Sequence, residues 1–364
     1  MRFIPYLALI LLLASCAPRG KITLYAGAGE TGELQRIYVG TTREIDEMGF
    51  PSGERSRDLI FGRFDVSVPP DREPGSIEWP RRRTPDPKKH FLLDNYSPLK
   101  TQTEFQAAVQ QELRTRQSEQ RTAIVFVHGF NNNFAEGLYR FAQLTDDLAL
   151  PFIPIHYSWP SAGHPLGYGY DRDSMLIARD GLETVIRAVS RSGVDEILLV
   201  GHSMGALLTM ETLRQMTIAD GQRGLRKIGG VVLLSPDIDI DVFRAQADRI
   251  GDLPQPFFIF TSTHDVALRL SAGLTGQSAR LGNTADVEQL AELNVTMVDI
   301  SAFSDGKNDH MTAFASASFL RLLRSMPDLG IAYGTDPSTR VGLLPGTVLV
   351  VQNATRLIIP NVAQ

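Results

Sequence analysis

Glu196-Ile197-Leu198-Leu199-Val200-Gly201-His202-Ser203-Met204-Gly205 runs without a break into the helical stretch Gly205–Met216, and this junction decides the fold. A short apolar run bounded by glycine predicts a buried strand, and the spacing after it predicts a helix. Between them stands the pattern Gly-x-Ser-x-Gly, which needs a preceding strand and a following helix to carry weight. Both are present. A chain turning that sharply holds Ser203 in a strained conformation, and Gly201 and Gly205 are required because a β-carbon would strike the neighbouring strand or helix. Ser203 then projects from the carboxyl end of the sheet, where open α/β sheets bind ligands. The Met204 N–H, at the positive end of the helix dipole, points at any negative charge developing there.

Outward from this junction the same alternation recurs. Strands are predicted at Arg36–Thr42, Leu59–Val68, Ala123–Val127, Phe152–Ser158, Glu196–Val200, Gly230–Leu234, Phe257–Thr261 and Val295–Ile300. Helices are predicted at Thr103–Gln120, Ala135–Leu148, Arg172–Ser192, Gly205–Met216 and Met311–Leu323. Strands apolar along their whole length must be covered on both faces, so the fold class is α/β: a mostly parallel eight-stranded sheet with helices on both faces. Pro69–Lys89, proline-rich with a basic run at Arg81–Arg83, reads as a loop.

The 364 residues carry 36 basic and 41 acidic side chains, a net charge of −5, which removes the chain-wide basic signal of a nucleic-acid binder. The single cysteine excludes an internal disulfide and any zinc site with two thiolates. No metal or organic cofactor is called for. That cysteine ends the apolar opening MRFIPYLALILLLASC, too short for a comfortable membrane span. Leu13-Ala14-Ser15-Cys16 has the form of a bacterial lipobox, in which Cys16 takes the lipid. The expectation is a lipoprotein signal peptide over 1–15, a flexible tether over 16–35, a domain over 36–325, and a C-terminal extension over 326–364 that could add a peripheral hairpin. Acyl chains on Cys16 would anchor the protein to the bacterial cell envelope. Ala17 after the cysteine favours the outer membrane, facing the periplasm.

A serine hydroxyl needs a base. Behind such a junction the order is serine, acid, histidine, so only His264 and His310 qualify. His264 abuts Asp265, and sequence neighbours orient each other poorly. His310 follows the last predicted strand in a polar loop able to reach Ser203, and is the predicted base. The acid belongs at a strand's carboxyl end, where Asp265 and Asp237 both fit. Asp265, on the second strand after the nucleophile strand, is preferred. Asp237 and Asp239 are expected to cap the next helix. Phe130, in His128-Gly129-Phe130-Asn131, supplies a second oxyanion N–H, with Asn131 a neighbouring candidate.

As a set, Val127-His128-Gly129-Phe130-Asn131, Tyr157-Ser158-Trp159-Pro160-Ser161, Tyr170-Asp171-Arg172-Asp173-Ser174, Gly201–Gly205, Ser235-Pro236-Asp237-Ile238-Asp239 and His264-Asp265-Val266-Ala267-Leu268 resemble a bacterial α/β-hydrolase family of the esterase/lipase superfamily, formerly a domain of unknown function. The resemblance spans roughly 36–325. It implies the α/β-hydrolase fold and a Ser-Asp-His triad and says little about substrate; the expectation from the triad is a serine hydrolase acting on small-molecule or lipid carboxylic esters. His310 falls in the stretch that resembles the family least. A non-catalytic envelope protein using this scaffold for binding is the competing reading. Tyr157–Pro160, at a strand's end, is a candidate pocket lining, while Asp171 and Asp173 read as loop ties and caps.

Overall fold

The computed structural model describes residues 19–80, 84–116, 121–276, 279–304, 309–325 and 347–360. Cys16, Arg81–Arg83 and the first part of the C-terminal extension lie outside them.

The strands are β1 (Glu33–Ile45), β2 (Pro51–Val68), β3 (Leu92–Leu99), β4 (Thr122–Val127), β5 (Ile153–Ser158), β6 (Glu196–His202), β7 (Ile228–Leu234), β8 (Phe257–Thr261), β9 (Thr296–Asp299), β10 (Thr347–Val351) and β11 (Ala354–Ile358). The helices are α1 (Gln102–Arg114), α2 (Phe134–Asp147), α3 (Tyr168–Arg191), α4 (Met204–Asp220), α5 (Ile240–Ile250), α6 (Val266–Leu274), α7 (Thr312–Ala315) and α8 (Ala317–Ser325). One sheet has the order β10-β11-β9-β8-β7-β6-β4-β5-β1-β2-β3. From β1 through β5, β4, β6, β7, β8 and β9 to β11 the pairing is parallel; β2 and β10 run antiparallel to their neighbours.

The sheet has eleven strands, not eight. The missed β3 carries Asp94, Asn95 and Pro98, residues depleted in strands, and sits at the sheet's edge where they are tolerated. The other two added strands are the hairpin β10–β11, joined to the opposite margin through β9. The tether reading also needs correction from Arg19 onward. Tyr25 N donates to Leu93 O at 2.8 Å, residues Ala28–Glu30 form a 3-10 turn, and β1 already begins at Glu33. Gly29 N donates to Asp94 Oδ1 of β3 at 3.0 Å, and a β-carbon on Gly32 would strike Ser67 Oγ and the Val68 carbonyl of β2, so these two glycines serve close packing against the sheet.

Alternation along the central strands divides the core. Ala123, Val125 and Val127 of β4 face α1, α3, α4 and α5, while Ile124 and Phe126 face α2, α7 and α8. Ile197 and Leu199 of β6 go the first way, Leu198 and Val200 the second. Each buried aliphatic or aromatic side chain contributes roughly 1.5–3 kcal/mol. The two-sided core fixes strand register, because a slip of one residue would move every apolar group to the wrong layer. It thereby fixes which loops crowd the carboxyl edge above β4, β6 and β8.

Candidate active site

Ser203 stands between β6 and α4 with φ 54° and ψ −121°, a left-handed backbone that side chains other than glycine rarely adopt. Three backbone hydrogen bonds hold it there. Ser203 N donates to Leu234 O at 3.0 Å, and Ser203 O accepts from Ala206 N at 3.0 Å and Asp237 N at 3.1 Å. A β-carbon on Gly201 would lie 2.8 Å from Ala206 Cα, and one on Gly205 would collide with the Val127 and His128 carbonyls. Both glycines are therefore forced by packing. Gly129 is forced too: a β-carbon there would stand 2.8 Å from Ser203 Cβ. The β4 loop thus presses directly on the Ser203 turn, and Phe130 follows at once. Among the described residues, the Phe130 and Met204 N–H groups donate to no protein acceptor. Such amides are available to an incoming oxyanion.

Asp265 ends the turn after β8 and is fully buried. Its Oδ1 accepts from Leu268 N at 3.0 Å, capping α6, and its Oδ2 accepts from His310 Nδ1 at 2.7 Å. The helix cap fixes the carboxylate, and the carboxylate fixes the imidazole. His310 also lies against the nucleophile turn. Its ring centroid is 4.8 Å from that of His202, and its carbonyl is 3.4 Å from His202 Nε2. Burial, and then His310 itself, push His202 well below the ordinary histidine range, so His202 is neutral. Among the hydrogen bonds of the described residues, none joins Ser203 Oγ to the His310 ring. The structure therefore brings the acid and the imidazole together and sets both beside the serine's neighbour, with the serine hydroxyl unengaged.

Asp237 has a different setting. Its Oδ1 accepts from Ser271 Oγ at 2.7 Å and lies 3.1 Å from Arg280 Nε; its Oδ2 accepts from Tyr168 Oη at 2.9 Å. Both members of this ion pair are buried. The expectation that Asp237 caps a helix fails, because the Arg280 guanidinium claims the carboxylate. Asp239 alone caps α5, accepting from Val242 N at 3.0 Å. His264 is exposed.

Asp171 is a loop tie. It accepts from Ser161 Oγ at 2.5 Å, Ala162 N at 2.7 Å and Asn131 N at 3.2 Å, which joins the β5 loop to the Phe130–Asn131 segment. Burial raises its pKa above the usual carboxylate value despite these donors. Tyr157 and Trp159 do not line a pocket; both are fully buried. Trp159 stacks on His128 at 5.1 Å, and its Nε1 donates to His128 O at 2.7 Å, so it supports the Gly129–Asn131 loop.

One residue to which the sequence reading gave no role is Arg43. It is fully buried and donates to Ser52 O at 2.8 Å, Ser158 Oγ at 2.9 Å, Asn132 O at 3.0 Å and Ser161 O at 3.1 Å. Burial lowers its pKa to about 10, leaving it charged. Its fork ties both loops that flank Ser203. The signals were an arginine closing an apolar strand and its place in the stretch Tyr38–Arg43, which resembles the same family. Among the described residues no three histidine, cysteine, aspartate or glutamate side chains form a metal-holding cluster.

A strained serine turn at the carboxyl edge of a parallel sheet, with a downstream aspartate–histidine pair beside it, is the arrangement of an α/β-hydrolase. The model of the family described as "alpha/beta hydrolase of unknown function" (DUF900) matches residues 101–325, and the chain belongs to this family. No curated protein matches the chain. Solved structures similar to it include a YdeN-like hydrolase from Pectobacterium atrosepticum, at 16% identity over 60% of this chain and 98% of that one, TM-score 0.28. A Pyrococcus furiosus esterase is 10% identical over 78% of this chain and 88% of that one, TM-score 0.31. A hydrolase from Agrobacterium vitis is 12% identical over 75% and 96%, TM-score 0.32.

Proposed function

We propose that this protein is a serine hydrolase of carboxylic esters, with Ser203 as nucleophile, His310 as base and Asp265 as the acid that orients it. The observation that carries the reading is the 2.7 Å contact between His310 Nδ1 and the fully buried Asp265 carboxylate. A carboxylate there fixes the tautomer with its proton on Nδ1, leaving Nε2 as the acceptor, and stabilises the imidazolium that forms. Ser203 Oγ attacks the ester carbonyl as His310 Nε2 takes the hydroxyl proton. The Met204 and Phe130 N–H groups hold the oxyanion. Collapse expels the alcohol, which receives the proton from His310, and leaves an acyl group on Ser203. Water, activated by the same imidazole, releases the acid. The reading requires Ser203 Oγ and Nε2 to reach hydrogen-bond distance once substrate is bound, as catalytic hydrogen bonds commonly tighten in the complex.

The same proposal makes Cys16 the acylated residue of a lipoprotein held at the bacterial outer membrane and facing the periplasm. Among the described residues no helix is long and apolar enough to cross a membrane. The test is treatment with a fluorophosphonate probe, followed by mass mapping, and turnover of short p-nitrophenyl esters. A probe adduct on Ser203 and turnover lost in Ser203→Ala support the reading. A folded protein that neither labels at Ser203 nor hydrolyses any ester sinks it.

A further inference from the structure

The first described residues end at the rim of the candidate site. Arg19 Nη1 donates to Asn131 Oδ1 at 3.0 Å and Nη2 to Asn131 O at 2.7 Å, while the same nitrogen lies 2.5 Å from Glu136 Oε2. Gly20 O accepts from Asn133 Nδ2 at 2.8 Å. Asn131 directly follows the proposed oxyanion residue Phe130. Cys16 precedes Arg19 by three positions in the chain, and an extended chain spans at most about 3.6 Å per residue. A lipid on Cys16 would therefore be tied to Arg19 by at most roughly 11 Å of chain.

The same rim carries exposed apolar groups. Ser262 N donates to Gly282 O at 2.9 Å, so residues 262–282 leave the sheet's carboxyl edge and return to it. This excursion carries α6, which Asp265 caps. Its inner face buries Leu268, Ser271 and Ala272. Its outer face presents Val266, Leu270 and Leu274, spaced four residues apart and 51%, 65% and 72% exposed. Leu166, in the β5 loop beside Tyr168, is 84% exposed. A row of aliphatic side chains in water is unfavourable unless something covers it. The acidic tip of the β1–β2 hairpin, with Glu44, Asp46, Glu47 and Glu54, argues against an attraction to anionic headgroups.

From the placement of Arg19 and the α6 stripe together, we infer that the mouth of the site faces the lipid bilayer that holds the Cys16 anchor, with Leu270, Leu274 and Leu166 seated in its interface, and that the ester taken up is a membrane-borne lipid. This rests on the reading of Ser203 as nucleophile and Cys16 as anchor. A helix one turn from the acid would then lie in the headgroup region, and an acyl ester could reach Ser203 without crossing water.

The experiment uses the full lipidated chain reconstituted into phosphatidylcholine vesicles containing dibrominated acyl chains. Leu270→Trp should be quenched at least twofold beyond the background of Trp79 and Trp159. Ile218→Trp, at the far end of α4, should not be. No quenching at position 270, equal quenching at both positions, or a dimer that buries position 270 overturns the inference, as does an unacylated Cys16 by mass spectrometry. In a second arm, the double variant Leu270→Asp/Leu274→Asp should keep turnover of soluble p-nitrophenyl acetate within about twofold and lose at least tenfold on a vesicle-borne ester. Equal effects on both substrates also overturn it. If the wild type hydrolyses neither substrate, the nucleophile reading fails, while the quenching arm still reports the membrane contact.

Discussion

The carboxyl ends of β7 and β8 offer a controlled comparison. Each delivers a buried aspartate into the loops around Ser203, and each aspartate precedes a helix. Asp237 is met by the Arg280 guanidinium, by Ser271 and by Tyr168. Asp265 is met by the His310 imidazole and the α6 cap. A guanidinium is a permanent cation that never exchanges its proton in this pH range, so it turns a carboxylate into structure. An imidazole can gain and lose a proton near neutrality, and in the proposed mechanism the carboxylate beside it orients the ring and stabilises the imidazolium. The role follows from the partner and not from the strand.

The comparison can be broken by exchanging the two positions. Asp265→Asn should lower kcat by about four orders of magnitude at neutral pH, because the amide no longer selects the tautomer that leaves Nε2 free. Asp237→Asn should leave kcat per folded molecule within severalfold. Comparable losses from both would end the distinction.

On stability the ranking reverses. Asp237→Ala strands Arg280, a buried cation, and should destabilise by about 3–5 kcal/mol in denaturant titration. Asp265→Ala strands no permanent charge and leaves an uncapped helix, a cost of about 1 kcal/mol.

A third test concerns the histidines beneath the site. Burial lowers His156 to about 3 and holds His128 well below the ordinary value. The unfolded chain therefore binds protons that the native chain refuses, and stability rises with pH. For His156 the contribution is lost as pH falls from about 6.5 toward about 3, at up to about 1.4 kcal/mol per pH unit. His156→Phe should flatten the acid limb of stability against pH. The smallest effect belongs to Asp239→Ala, which removes one N-cap and should cost about 1 kcal/mol with no change in ester turnover.

These contrasts separate what was legible beforehand. The turn at Ser203 could be read because its constraints are local: strand, glycines and helix follow one another in the chain, and steric exclusion acts between near neighbours. The two-sided apolar strands fixed the sheet class for the same reason. β3 escaped because its edge position relaxes the demand for apolar residues, and the loop-like 19–32 segment escaped because its partners lie on β3 and α2.

His310 was named from order along the chain, and Asp265 was preferred over Asp237 by strand count. Only the folded structure joined the two and gave Asp237 to Arg280, because each pairing closes a loop of tens of residues and no periodicity encodes it. The residue types and the local turn were written in the sequence. Which charge meets which was decided by tertiary packing, where burial makes an unpaired carboxylate costly and the nearest cation or imidazole settles its chemistry.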